Sequence, residues 1–277
     1  IKAANYNTAI GTHLVEGHQG GGTSYDYFRG YDYGLRWKLN RIALRRERNI
    51  NPSGYTIDTS IRKNHHDFLD TYGYNEDTGL WSDIYNTFVY HNINISAFYG
   101  HLMSNKKNVV LSSKLDLAFI DDSHIDDFFW EFGGGMPGLR GYPFYSMNGT
   151  RKVLSSTMLR FPLARDIFKK FGHYTLQNIY VGFEGQIGST WQGQNAKWND
   201  SDLKQIISND VSSAVWLRDL GSQLRVSGFS FYAFPTAFEF GAYYGIDTYH
   251  WEDSNSTDTI EYGKEWRYYW KLLFQFD

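Results

Sequence analysis

Residues 128–149, FFWEFGGGMPGLRGYPFYSMNG, are the first place to look for chemistry. Gly133, Gly135 and Gly138 match G-x-G-x-x-G, a spacing that cradles a pyrophosphate when a strand precedes it and a helix follows. Here Gly141, Pro143 and more aromatics follow, so no helix is expected to start and the match reads as accidental. What remains is a glycine-rich loop with one arginine, able to fold back into a confined space. Arg140 would then need carboxylate or carbonyl partners, because an unpaired buried guanidinium is costly. A surface loop with a solvated Arg140 is the alternative. His65, His66 and Asp67 have metal-ligating side chains, but neighbours on a strand point to opposite faces, and a polar loop is the expectation. The acidic run Asp121, Asp122, Asp126 and Asp127 lacks the spaced ligands and turn glycine of a calcium loop. There is no G-x-S-x-G and no H-E-x-x-H, and the absence of cysteine removes thiolate catalysis, disulfides and Cys-ligated zinc. No catalytic residue, metal or cofactor is therefore expected.

The elements that would position this loop are strands. From Tyr25 to Asn40 the odd positions are mostly aromatic or aliphatic and the even ones mostly polar or small, a period of two. The same alternation runs through 89–99, 109–119, 153–161, 179–187 and 266–276. About ten strands are expected, near 9–16, 25–47, 54–63, 85–102, 108–120, 150–162, 175–190, 218–232, 236–248 and 262–276, with a short helix within 202–217. Most are longer than the usual ~5–6 residues and close to the ~9–11 that cross a bilayer at a tilt. Trp, Tyr and Phe make up 18% of the 277 residues and cluster at strand ends, where interfacial girdles lie. The net charge of −3 offers no global field for nucleic acid. Mean hydropathy is −0.50 and no stretch approaches the roughly 18 uninterrupted apolar residues of a membrane helix, which excludes a helical membrane protein but not a barrel, whose strands face lipid only at every second residue. The expected fold is all-β, a transmembrane antiparallel barrel, with long runs at 64–84, 121–149 and 191–217 set against the short turn 104–108. A soluble sandwich, barrel or propeller is the other all-β solution. The chain starts at Ile1 with neither Met nor a leader-like segment, so a processed product or a piece of a longer precursor is expected.

The segment GGGMPGLRGYPF resembles the sixth extracellular loop of the BamA/TamA superfamily of outer-membrane barrels, whose signature is (V/I/L)-R-G-(F/Y) after a Gly-Gly pair. Gly133, Gly134, Leu139, Arg140, Gly141 and Tyr142 carry that match. Asn51-Pro52-Ser53-Gly54-Tyr55 resembles the N/D-P-x-x-G-(Y/W) start of an earlier strand, one residue shorter. Leu159 to Leu163 resembles E-x-R-F-P-L, residues 180–191 resemble the F-x-D-x-G strand that ends in Trp, and Phe276 sits where the final strand closes. Five strands follow the loop, as in a sixteen-stranded barrel of the family, so the chain would begin near the seventh strand. The resemblance implies that residues 1–277 are the C-terminal ten or so strands, with a lid loop at about 121–149. It also implies periplasmic modules upstream, POTRA or propeller units.

In that family the loop arginine reaches down the lumen to acidic residues on the next two strands. Carried over, the first acid is Met158 here and the second is Gln186. Glu184 shares a face with Gln186, so the expected partners of Arg140 are Glu184 or the Gln186 side-chain carbonyl. The final strand, with Trp266, Tyr268, Trp270, Leu272, Phe274 and Phe276, would form one side of a seam whose exposed edge templates an incoming strand. The implied location is the bacterial outer membrane. The implied partners are lipid and lipopolysaccharide, unfolded outer-membrane or secreted proteins, and periplasmic assembly factors. The implied activity is assembly or translocation of proteins, not catalysis. Two rivals stand beside it: a passive channel or structural barrel, favoured by the missing acids, and a soluble aromatic-rich protein that binds glycans.

Overall fold

In the computed structural model the described residues are 2–10, 14–15, 18–19, 23–45, 48–75, 79–196, 203–231, 234–252 and 259–274. Ten strands run as an antiparallel meander: β1 (Lys2–Ile10), β2 (Thr23–Ile42), β3 (Gly54–Asn75), β4 (Leu80–Ser104), β5 (Val109–Ile120), β6 (Arg151–Ala164), β7 (Tyr174–Trp191), β8 (Leu217–Ser230), β9 (Phe234–Gly245) and β10 (Trp266–Phe274). Each pairs with the next, and the short strand Lys169–Phe171 adds to β7 as the eleventh member. β1 and β10 end the order. The chain is all-β, with α1 (Leu203–Ser213) as its one α-helix among the described residues.

Alternation decides which face each residue takes, and the register lines those faces up. One cross-strand row reads Leu35, Ile61, Ile93, Phe119, Arg151, Trp191; another reads Val181, Leu224, Phe240, Trp270. Five of these ten side chains stand exposed on the outer face and four are half-buried, with Leu35 at 82% and Trp270 at 80%. On the opposite, inner face the rows are polar. Lys38, Asp58, Ser96 and Asp116 align, as do Met158, Glu184, Gly221, Tyr243 and Arg267. The usual burial order is thus inverted: apolar groups face out and the polar face wraps the contents.

Several expected boundaries move. The first strand is Lys2–Ile10, not 9–16, and its pairing with β2 fixes that register. The run 64–84, expected as a connection, is the far part of the β3–β4 hairpin, whose strands are 22 and 25 residues long. There the outward positions turn polar (Asp67 among them), so the hydropathy signal fades while backbone pairing continues. β2 ends at Ile42, where one last ladder bond runs from the Ala43 amide to the Ser53 carbonyl opposite at 2.8 Å. Tyr262, placed at the start of the final strand by sequence, belongs instead to a separate hairpin in which 259–262 pair with Tyr249–Glu252. Short turns (105–108, 165–173) and the loop 43–53 share one end of the sheet, while 121–150, 192–216 and 246–265 share the other.

Candidate functional site: the inward loop and its clamp

Residues 121–149 fold onto the inner face and touch strands from β2 to β10. The first arm opens with a carboxylate cap: Asp126 accepts from the Phe128 amide at 2.9 Å and starts a single 3-10 turn. That turn presents Phe128 and Phe129 to Phe28 on β2, His66 and Phe68 on β3, and Phe88 and Tyr90 on β4, with ring centroids 5.0 to 6.2 Å apart. The tip hangs from a short hairpin, Glu131–Gly133 with Met147–Gly149. Lys152 on β6 pairs with Glu131 beside it.

The glycines then make the turn that delivers Arg140. Gly134 and Gly135 have φ of 92° and 74°, and their amides bond the carbonyls of Gly138 and Leu139 at 3.1 Å. These are left-handed conformations that a side chain would disfavour. Leu139 itself sits at φ 61°, a strained value for a leucine. Its buried contacts with Tyr142, Met147, Leu154 and Leu217 hold it there. Gly141 has no room for a Cβ, which would fall 2.6 Å from the Gly245 nitrogen and 2.8 Å from the Asp219 Cβ.

Arg140 points to Glu184, near the middle of β7, with Nη1 2.6 Å from Oε2. Glu184 is 5% exposed. Its carboxylate also accepts from Tyr243 Oη at 2.7 Å, Gln223 Nε2 at 3.2 Å and Gln186 Nε2 at 3.1 Å. Three of the four donors meet on Oε2 and one on Oε1, and such a set of donors is what a buried carboxylate needs. Burial opposes the charge on Arg140, but Glu184 and Tyr243 outweigh it and hold its pKa above the ordinary value. Gln186 turns its carbonyl to the loop and accepts from the Arg140 amide at 2.8 Å. Arg140 therefore meets both expected partners, one through its side chain and one through its backbone. Met158 stands opposite Glu184 in the β6–β7 ladder, buried, and supplies no ion-pairing group.

Three further clamps, from Asp219, Tyr269 and Tyr243, were not foreseen from sequence, and Tyr142 of the loop motif gains partners that sequence did not name. Asp219 on β8 accepts from the Gly141 amide at 2.7 Å, and Tyr269 on β10 donates to the Arg140 carbonyl at 2.8 Å. Tyr243 on β9 lies over Gly221, where a Cβ would be 2.2 Å from the ring, and under the Arg140 guanidinium at 5.2 Å. Tyr142, fully buried, accepts from the Asp247 amide at 3.0 Å, and its hydroxyl lies within 3.0 Å of the Arg218 and Asp247 carbonyls. Their signal was parity. Asp219, Gly221, Gln223 and Arg225 are the polar half of an alternation with Leu220, Leu224 and Val226.

The clamp also reaches the far end of the sheet. Gln223 Oε1 accepts from Arg160 Nη2 at 2.8 Å, and Arg160 Nη1 donates to the Ile50 carbonyl at 2.6 Å. Ile50 belongs to the loop 43–53, which Asn51 ties to the 105–108 turn through the Asn108 carbonyl at 2.8 Å. A continuous polar path thus links loops from opposite ends. Beside it the inner face of β2–β5 lines a cavity of about 960 Å³ with Asp32, Arg36, Lys38, Asp58, Arg62 and Lys114.

The remaining candidates have local roles. His66 joins the aromatic cluster, its Nδ1 3.1 Å from Tyr90 Oη, while His65 packs on Tyr31 on the other face. Both lie on β3 and not in a loop. Asp121 accepts from the His91 amide at 2.6 Å, and Asp122 from the His124 amide at 2.8 Å. No group of three or more metal-ligating side chains converges among the described residues. On β10, Trp266, Tyr268, Trp270, Leu272 and Phe274 all stand on the outer face; Phe276 lies outside the described residues. The chain matches no protein-family model, no curated protein and no solved structure.

Proposed function

We propose that the chain is the C-terminal part of an outer-membrane β-barrel of the BamA/TamA kind, acting in assembly or translocation of proteins at the outer membrane. The observation that carries this reading is the inverted sheet: an exposed apolar face outside, and inside it a polar face wrapped around a loop locked by Arg140 and Glu184. Exposed apolar rows of this extent are unfavourable in water and suited to lipid. From Trp266 to Phe274 the outer face of β10 spans roughly 26 Å along the strand, comparable with the ~25 Å apolar band of such barrels. β10 ends the strand order, and an edge strand can template an incoming one. A passive channel or structural barrel is the second reading, favoured by the polar cavity along β2–β5 and by Met158 and Gln186 at the family's acidic positions.

The test uses the full-length protein in its own cell. It should need detergent for extraction and migrate faster on a gel unheated than boiled, and its depletion should lower the levels of other outer-membrane proteins. Unchanged levels with measurable ion conductance would favour the channel. Solubility without detergent would end both readings.

A further inference from the structure

Arg151 is a cation in an apolar row. Its Cα partners are Phe119 and Trp191, both on the outer face, and the next residue, Lys152, faces inward to Glu131. Yet Arg151 is only 4% exposed. Its guanidinium lies over the Phe119 ring at 3.8 Å and donates to the Gln194 carbonyl at 2.7 Å, and its Nε is 3.5 Å from Asp210 on α1. Asp210 also accepts from the Gln194 amide at 3.1 Å. Asp210 thus anchors the helix at the rim of the sheet, through Arg151 at the end of the outer row and the Gln194 amide.

Anchored this way, α1 leaves one flank uncovered. Ile207 and Val211, one turn apart, are exposed, and so are Val215 and Trp216 where the chain runs on into β8. Trp216 packs against Trp191 with centroids 6.3 Å apart, which joins this flank to the outer apolar face. Lys204, three residues before Ile207, is exposed at the start of the same flank, where its long side chain can reach headgroups, and the opposite flank carries Gln205, Asn209 and Ser212, all exposed. We propose that α1 is a membrane-surface helix whose Ile207–Val211 flank, continued by Val215 and Trp216, enters the boundary between headgroups and acyl chains. This rests on the barrel reading above. The lipid is the occupant because the flank is continuous with the sheet face that the same bilayer would cover, and because one polar and one apolar flank is the arrangement such a boundary selects. The Arg151–Asp210 pair then has a purpose: it lets a charged residue sit at the rim of a lipid-facing row by covering it with the helix that reads the surface.

These 277 residues hold no cysteine, so in the full-length protein, with any cysteine elsewhere replaced by serine, single cysteines at 205, 207, 209, 211 and 215 can each carry a nitroxide. In vesicles of phosphatidylcholine and phosphatidylglycerol, the ratio of oxygen to nickel-complex accessibility should be several-fold higher at 207, 211 and 215 than at 205 and 209. A label at Trp270→Cys on the middle of the outer face separates the two readings. High oxygen access at 270 with high nickel access at 207, 211 and 215 would overturn the surface helix and leave the barrel standing. High nickel access at 270 as well would overturn both.

Discussion

At the residue scale the clamp rests on a charge pair that cannot be half removed. Arg140→Met would leave the Glu184 carboxylate buried without its cation, a loss of about 3–5 kcal/mol for a pair of this kind. Glu184→Gln in the same chain removes the stranded charge, so the double variant should recover much of the loss. Thermal unfolding in detergent, read as a double-mutant cycle with the single variants, measures the coupling; additive losses would mean the two groups act apart. Tyr142 gives a pH signature. Burial pushes its phenol up to about 12, above the unfolded value of about 10. The folded chain thus holds this proton more tightly, so its contribution is whole below pH 10. It declines as pH rises from about 10 to 12, where the unfolded chain sheds its proton first. Against the parent, Tyr142→Phe should show a flatter fall in melting temperature across that window. Parallel curves would mean the phenol is not what holds the loop to 247.

At the element scale the loop is a shaped insert held against four strands, and its fit is steric before it is electrostatic. Gly141→Ala should push the tip off Asp219 and Gly245, where backbone blocks the way, and expose residues 134–145 to proteolysis while the sheet stays folded. Resistance equal to the parent's would show that the tip can shift without leaving. This fit also marks how far sequence reading could go. The glycines and Arg140 were legible because their types are unusual at that density, and the partner Glu184 because it shares strand parity with Gln186. Asp219, Tyr243 and Tyr269 were not, because nothing local distinguishes a polar residue that clamps a loop from one that faces water. Only the register, which brings β8, β9 and β10 under the tip, does so. The outer rows were legible over their apolar length. The far β3–β4 hairpin was not, since its pairing outlasts its hydropathy.

At the scale of the whole molecule, the two ends of the sheet differ as the sequence suggests: short turns at one, long connections with α1 and the inward loop at the other. The polar path from Arg140 through Glu184, Gln223 and Arg160 to Ile50 joins them through the interior. Its consequence is a proofreading of strand register. Side chains alternate with a period of two, so a slip of β7 by one residue against its neighbours would send Glu184 to the apolar face and bring Phe183 or Gly185 to the polar one. The main-chain ladder would hardly register that error, since every amide would still find a carbonyl. The inserted loop would register it at once: the Arg140 side chain would lose its counter-charge and its amide the Gln186 acceptor, and Gln223 would lose the Glu184 carboxylate. A sheet of this kind, whose outer surface is mostly apolar and tolerant of sliding, carries its alignment mark on the polar side.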